Sequence, residues 1–143
     1  MQRQLSLFDD DIATRLAGMV PAIRAAMNVA AGKDEDGRKL LLDKINALAA
    51  EAGVRLTGGN NKAISKDTLD KWLSPGDREH TPGLLAVAVF CAATGNPGPL
   101  RAMLRILGLD VMTAEDKRLR DYGRACQLER SARREKRKLE GEL

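Results

Sequence analysis

The stretch AISKDTLDKWLS, from Ala63 to Ser74, decides what kind of fold this chain takes. Ser65 is a good helix N-cap, because its hydroxyl can accept a hydrogen bond from a backbone N–H of the first turn. Leu69, Trp72 and Leu73 recur at the three- and four-residue steps that place side chains on one face of a helix. Lys66, Asp67, Asp70 and Lys71 fall on the other face, and Pro75-Gly76 stops the run. The spacing predicts a short helix over Lys66–Leu73, with Trp72 packed inward and Lys66, Thr68 and Lys71 outward. Two roles are open to it. It can be the second helix of a helix-turn-helix, laid into the major groove of DNA, or a small helix that closes an all-helical core.

Upstream, apolar residues recur at Ile12, Leu16, Met19, Ile23, Met27 and Ala30, an amphipathic helical stripe. Gly18 and Pro21 interrupt it, so a helix restart near Val20 is expected, where proline is tolerated in a first turn. GKDEDG (Gly32 to Gly37) is a polar break. The next helix is expected from Arg38 to Ala52, with Leu41, Ile45, Leu48 and Ala52 on one stripe and Gly53 as its C-terminal cap. In VRLTGGNNKAI, Gly58, Gly59, Asn60 and Asn61 tolerate positive φ and predict a tight turn, with Val54, Leu56 and Ile64 pinning its ends.

Downstream, Thr81-Pro82 is read as the cap and first position of a helix running to Thr94. Leu84, Leu85, Val87, Ala88, Val89, Phe90 and Cys91 leave it little polar surface, so it is expected to be the most buried helix. Pro99 opens a further helix bearing Leu100, Met103, Leu104 and Leu107, closed by Gly108. LDVM, before Thr113, can run extended. Thr113 with Asp116 forms a capping-box pattern with Asp in place of Glu. The helix it starts has a short apolar seam at Leu119, Tyr122 and Cys126. From Ala114 onward it carries ten Lys/Arg and seven Asp/Glu, a balance of +3 within the chain's +4.

Composition agrees with packed helices. Apolar residues make up 43 % of the 143 but aromatics only 3 %, whereas strands are enriched in aromatic and β-branched residues. The expectation is an all-α fold with residues 1–10 as a flexible N-terminal segment, 11–112 as a helical globular domain and 113–143 as a protruding charged helix. No apolar run approaches a membrane span of ~20 residues, and MQRQLSLFDDD has no signal-peptide core. The chain is therefore expected to be soluble and cytoplasmic, with Cys91 and Cys126 reduced. One histidine, His80, and two distant cysteines supply no zinc site. No phosphate loop, nucleophile elbow or ligand cluster is present, so neither catalysis nor a cofactor is expected.

In a helix-turn-helix, Arg38–Ala52 would brace Lys66–Leu73, leaving Lys66, Thr68 and Lys71 to reach phosphates or bases. Against this stand the long Gly53–Ser65 connection, where three or four residues are usual, and the acidic Asp67 and Asp70.

The stretch ISKDTLDKWLSPGDREHTPGLLAVAVFCAATGNPGPLRAMLRILGLDVM, Ile64 to Met112, resembles a family of small proteins in Mu-like prophages of bacteria. The shared pattern is Leu69 to Trp72, then the polar Asp77-Arg78-Glu79-His80. An apolar helix follows, ending in Ala93-Thr94-Gly95, and then a leucine-rich helix from Leu100 to Leu107. The upstream RKLLLDKINALAAEAG and the basic tail fit as well, so the resemblance covers about residues 20–143. The family's central part is similar to repressor-type helix-turn-helix domains, from which this chain departs in its Gly53–Ser65 connection. The resemblance implies a phage-encoded, non-enzymatic DNA-binding transcriptional regulator or accessory factor. Candidate DNA contacts are Lys62, Lys66, Thr68 and Lys71, with Arg133, Arg134, Lys136 and Arg137 in the tail.

A rival class is a protein-interaction module acting on host replication machinery or a phage assembly. Gln4-Leu5-Ser6-Leu7-Phe8 resembles the peptide by which bacterial replication proteins grip the sliding clamp. Leu5, Leu7 and Phe8 would enter an apolar groove and Gln4 would hydrogen-bond, or the same side chains fold back on the chain's own core. The tail has three readings: a solvated helix held by pairs such as Glu129–Arg133, one arm of a homodimer, or a basic arm that tracks phosphates.

Overall fold

The computed structural model describes residues 11–59 and 62–143, and among them every regular element is a helix. Residues 11–17 form α1. α2 spans Met19–Ala31, α3 Glu35–Ala52, α4 Lys66–Leu73, α5 Leu84–Thr94, α6 Gly98–Ile106 and α7 Ala114–Glu142. Gly18 interrupts the first stripe as expected, and Pro21 falls in the first turn of α2, where no intrahelical N–H is needed. Ile12 and Leu16 are exposed, so the buried part of the stripe begins in α2 with Ile23 and Met27.

Two helix starts differ from expectation. α3 begins at Glu35 rather than Arg38, because the Asp34 carboxylate accepts from the Gly37 N–H at 3.1 Å and caps the turn there. α5 begins at Leu84 rather than Pro82. Gly83 is extended at its N-cap, and Thr81, the residue before proline, is disfavoured from helical geometry. Gly53 closes α3 at φ 67°, as expected of a C-terminal cap. Gly58 and Gly59 do not take positive φ, so no left-handed glycine builds that turn, and Asn60 and Asn61 lie outside the described residues.

One core joins α2, α3, α4 and α5. Met27, Ile45 and Phe90 are fully enclosed, with Leu41, Ile64, Leu69, Trp72, Leu73 and Val87 around them. α6 packs along α2, α5 against α3 and α6, and α4 against α2 and α3. α5 holds more buried residues than any other described helix, as expected, but on one side only. Ala86, Val87, Val89, Phe90 and Ala93 face inward, while Leu84 is 71 % and Leu85 45 % exposed. The neighbours of α5 cover only one side, so its apolar composition overstates its burial.

The chain divides into two units, one ending at Asp110 and the other Val111–Leu143. The second unit is α7. Its capping box forms as the sequence predicts: Asp116 N–H donates to Thr113 Oγ1 at 3.1 Å, and Thr113 N–H to the Asp116 carboxylate at 3.0 Å. No α7 side chain is buried. The seam residues Leu119 and Tyr122 are 63 % and 72 % exposed, so the seam packs no core. None of the described helices is long and apolar enough to cross a membrane.

Candidate nucleic-acid interface

α4 is a helix for the reasons its sequence gives. Ser65 Oγ accepts from Thr68 N–H at 3.2 Å, and Leu69, Trp72 and Leu73 are buried. What holds its far end was not legible in the stretch itself. Arg24 of α2, only 2 % exposed, sends its guanidinium under the C-terminus of α4. Nη1 donates to the carbonyls of Lys71 (2.9 Å) and Ser74, and Nη2 donates to that of His80 (2.9 Å). One turn on, Asn28 Nδ2 donates to the Leu73 carbonyl and to Arg24 O. A cation under a helix C-terminus also complements the negative end of the helix dipole. The signal was a polar i, i+4 pair, Arg24 and Asn28, flanking the apolar Ile23–Met27 stripe.

The other end of α4 is tied to α3. Asn46 Nδ2 donates to the Ile64 carbonyl at 3.0 Å, and Asn46 Oδ1 accepts from the Ile64 N–H at 2.8 Å. This two-bond exchange anchors the long Gly53–Ser65 connection just before α4 begins.

The outer face of α4 is electrically mixed. Lys66, Asp67 and Asp70 are exposed, and Lys71 is half-buried and ion-paired to Asp67 at 3.1 Å. Thr68 is half-buried too, its hydroxyl 3.1 Å from Ser65 Oγ. Thr68 and Lys71 are thus less outward than the spacing predicts, because the cap and the i, i+4 pair each engage one of them. Lys62 is exposed and lines a hollow with Gly53 and Arg55 beside the C-terminal end of α3.

Lys66 instead lines a cleft of about 520 Å³ at the opposite end of α3, with Lys33 and Arg38. Lys62 and Lys66 thus line different hollows. The structure joins Lys66 to two cations that sequence reasoning passed over, Lys33 inside a polar break and Arg38 as a presumed helix start. Glu35 and Asp70 line the same cleft.

The polar Asp77–His80 segment forms an Asx-type turn. The Asp77 carboxylate accepts from the N–H groups of His80 (2.8 Å) and Glu79 (2.9 Å) and lies 3.1 Å from His80 Nδ1. The His80 N–H holds this carboxyl below its usual pKa. Desolvation opposes that shift, and the Glu79 N–H and the His80 ring add to it. The only histidine is thus part of the turn that Arg24 clamps.

α7 presents the largest run of positive charge. Arg130, Arg133, Arg134, Lys136, Arg137 and Lys138 stand against one acid, Glu135, within residues 130–138, and all are exposed. Arg130, Arg133, Arg134 and Arg137 follow i, i+3, i+4, i+7 spacing and share one face. Arg133 is paired with Glu129 at 2.7 Å, and Lys136 lies 4.0 Å from Glu140. With 29 residues the helix is about 43 Å long at 1.5 Å per residue.

Gln4, Leu5, Leu7 and Phe8 lie outside the described residues. Among the described residues, no group of three His, Cys, Asp or Glu side chains is arranged to hold a metal. No family model, curated protein or solved structure matches the chain, so the similarity to Mu-like prophage proteins rests on the quoted residues alone.

Proposed function

We propose that this protein is a non-enzymatic DNA-binding factor of the regulatory or accessory kind, and that α7 makes its main contacts with duplex phosphates. The observation that carries this reading is the exposed arginine face Arg130, Arg133, Arg134 and Arg137 on a single long helix. A helix of ~10–12 Å diameter matches a major groove ~12 Å wide. The duplex offers one negative charge per ~1.7 Å of axis, so a line of guanidinium groups meets phosphates wherever it lies. Stacking on single strands is less well served, with Tyr122 the one exposed aromatic on this helix. The chain's single tryptophan, Trp72, is buried in the core.

Four phosphate contacts from α7 contribute about −3.6 to the salt slope, so their share of the affinity should fall roughly 150-fold between 50 and 200 mM salt. Fluorescence anisotropy on a random 20-base-pair duplex measures this. The variant R130Q/R133Q/R134Q/R137Q should keep its helix content and flatten the slope by three to four units. An unchanged slope, or no wild-type binding at 50 mM salt and micromolar protein, would overturn the reading.

A further inference from the structure

We infer that the cleft at the start of α3 and α4 is a second phosphate-binding site, on the first unit of the chain and independent of α7. The inference rests on the duplex reading above for one of its two sources of phosphate.

Three cations from three different elements line this cleft: Lys33 from the α2–α3 turn, Arg38 from α3 and Lys66 from the first residue of α4. Arg38 is held in place from behind. Its Nε donates to the Gly32 carbonyl at 3.0 Å, and Nη1 and Nη2 make no protein hydrogen bond among the described residues. That leaves the two terminal nitrogens of the fork for an anion, the geometry that favours arginine at phosphates. Gly32 itself, at φ 71°, turns the chain so that Lys33 and Arg38 meet over one hollow.

Glu35 and Asp70 share the cleft, yet among the described residues neither forms an ion pair with any of the three cations. The contrast on α4 is informative. Asp67 precedes Lys71 by four residues and pairs with it, whereas Lys66 precedes Asp70, the less favourable order on a helix. Lys66 is therefore left for a ligand. A balance of three cations to two carboxylates suits one phosphate group rather than a polyanionic pocket. The polar lining does not suit an apolar metabolite.

The shared chemistry is a phosphate oxyanion, supplied either by a nucleic-acid backbone or by a free phosphate. The test uses the full chain carrying R130Q/R133Q/R134Q/R137Q, so that the arginine face of α7 is silent and any remaining α7 cations are common to every variant compared. In that background, Lys33→Ala and Lys66→Ala should each weaken residual duplex binding roughly threefold and lower the salt slope by about one. Asp70→Asn should strengthen it, because it removes a repelling charge. Inorganic phosphate is titrated alongside by amide NMR. Saturable shifts confined to residues 32–38 and 66–70 support the site with free phosphate as a source. Residual duplex binding that both lysine substitutions weaken, without those shifts, assigns it to the backbone.

If neither lysine substitution changes residual binding and phosphate moves no cleft amide, the inference is overturned. That outcome leaves the α7 reading standing when the wild type still binds duplex. Conversely, cleft shifts in a protein that binds no duplex sink the α7 reading alone.

Discussion

Arg24→Met tests the contact on which the α4 end of the fold turns. Methionine fills similar space but donates no hydrogen bond. Three bonds from a charged donor are worth about 1.5–3 kcal/mol each, about 4.5–9 in gross terms. Two effects reduce that figure. The Lys71 carbonyl keeps a backbone donor in Ser74 N–H, and the Ser74 carbonyl keeps one in Asp77 N–H, so only the His80 carbonyl loses its protein partner outright. The desolvation of the guanidinium, whose Nε has no partner, also disappears. The net expectation is a loss on the order of 2–4 kcal/mol, or a drop in Tm of roughly 10–20 °C. Trp72 emission in urea is the right probe, since this ring is the only tryptophan, is buried and follows Lys71 directly. Helix content by circular dichroism would mix in α7. Arg24→Lys should recover part of the loss, because an ammonium keeps the charge but not the planar fork. A loss below about 0.5 kcal/mol for Arg24→Met would refute the view that this side chain clamps Lys71 to His80.

Phe90→Ala should cost about 3–5 kcal/mol in the same urea experiment, since it empties the space of a fully enclosed ring. Asn46→Ala should cost about 1–3 kcal/mol by leaving both the N–H and the carbonyl of Ile64 without their partner, read as faster amide exchange at Ile64. Asp77 has a lowered pKa, so whatever stability it contributes is present above the usual value of 3.8 and is lost as pH falls through its lower folded value. The stability difference between wild type and Asp77→Asn should therefore shrink as urea midpoints are followed from pH 6 down to pH 3.

The helices and their inward faces were legible because periodicity reports burial directly. Ile23 and Met27, Leu41 and Ile45, and Leu69, Trp72 and Leu73 all pack where their spacing puts them. Caps were legible where a side chain does the capping, as at Ser65 and Thr113, or where a glycine turns left-handed, as at Gly53. Two kinds of feature escaped. One was set by neighbours far along the chain: the exposure of Leu84 and Leu85 depends on which helices reach α5, and nothing local to GLLAVAVF encodes that. The other was polar and long-range. Arg24 reads as one more charged residue between Ile23 and Met27 until the carbonyls of Lys71, Ser74 and His80, some fifty positions later, arrive beside it. Lys33 and Arg38 were hidden in the same way, because a shared cleft is a property of three elements and not of one.

These contacts also bear on the two roles open to Lys66–Leu73. A recognition helix in the helix-turn-helix sense needs a bracing partner across a short turn and an outer face that phosphates accept. α4 has neither. It is braced at one end by Arg24 from α2 and at the other by Asn46 through Ile64, across the whole Gly53–Ser65 connection. Its outer face sets Asp67 and Asp70 against Lys66 and Lys71, and one of those lysines is already paired. Close to a duplex, the net field of that face is near zero, so its contribution to the counterion release that drives phosphate binding is small. The physics favours α4 as a helix that closes the core and lends one lysine to the cleft beside it. On α7, by contrast, six cations face one acid over nine residues with no core to hold. If duplex binding survives neutralisation of that stretch and disappears instead with Lys66 and Lys71, α4 and not α7 carries the phosphate contacts.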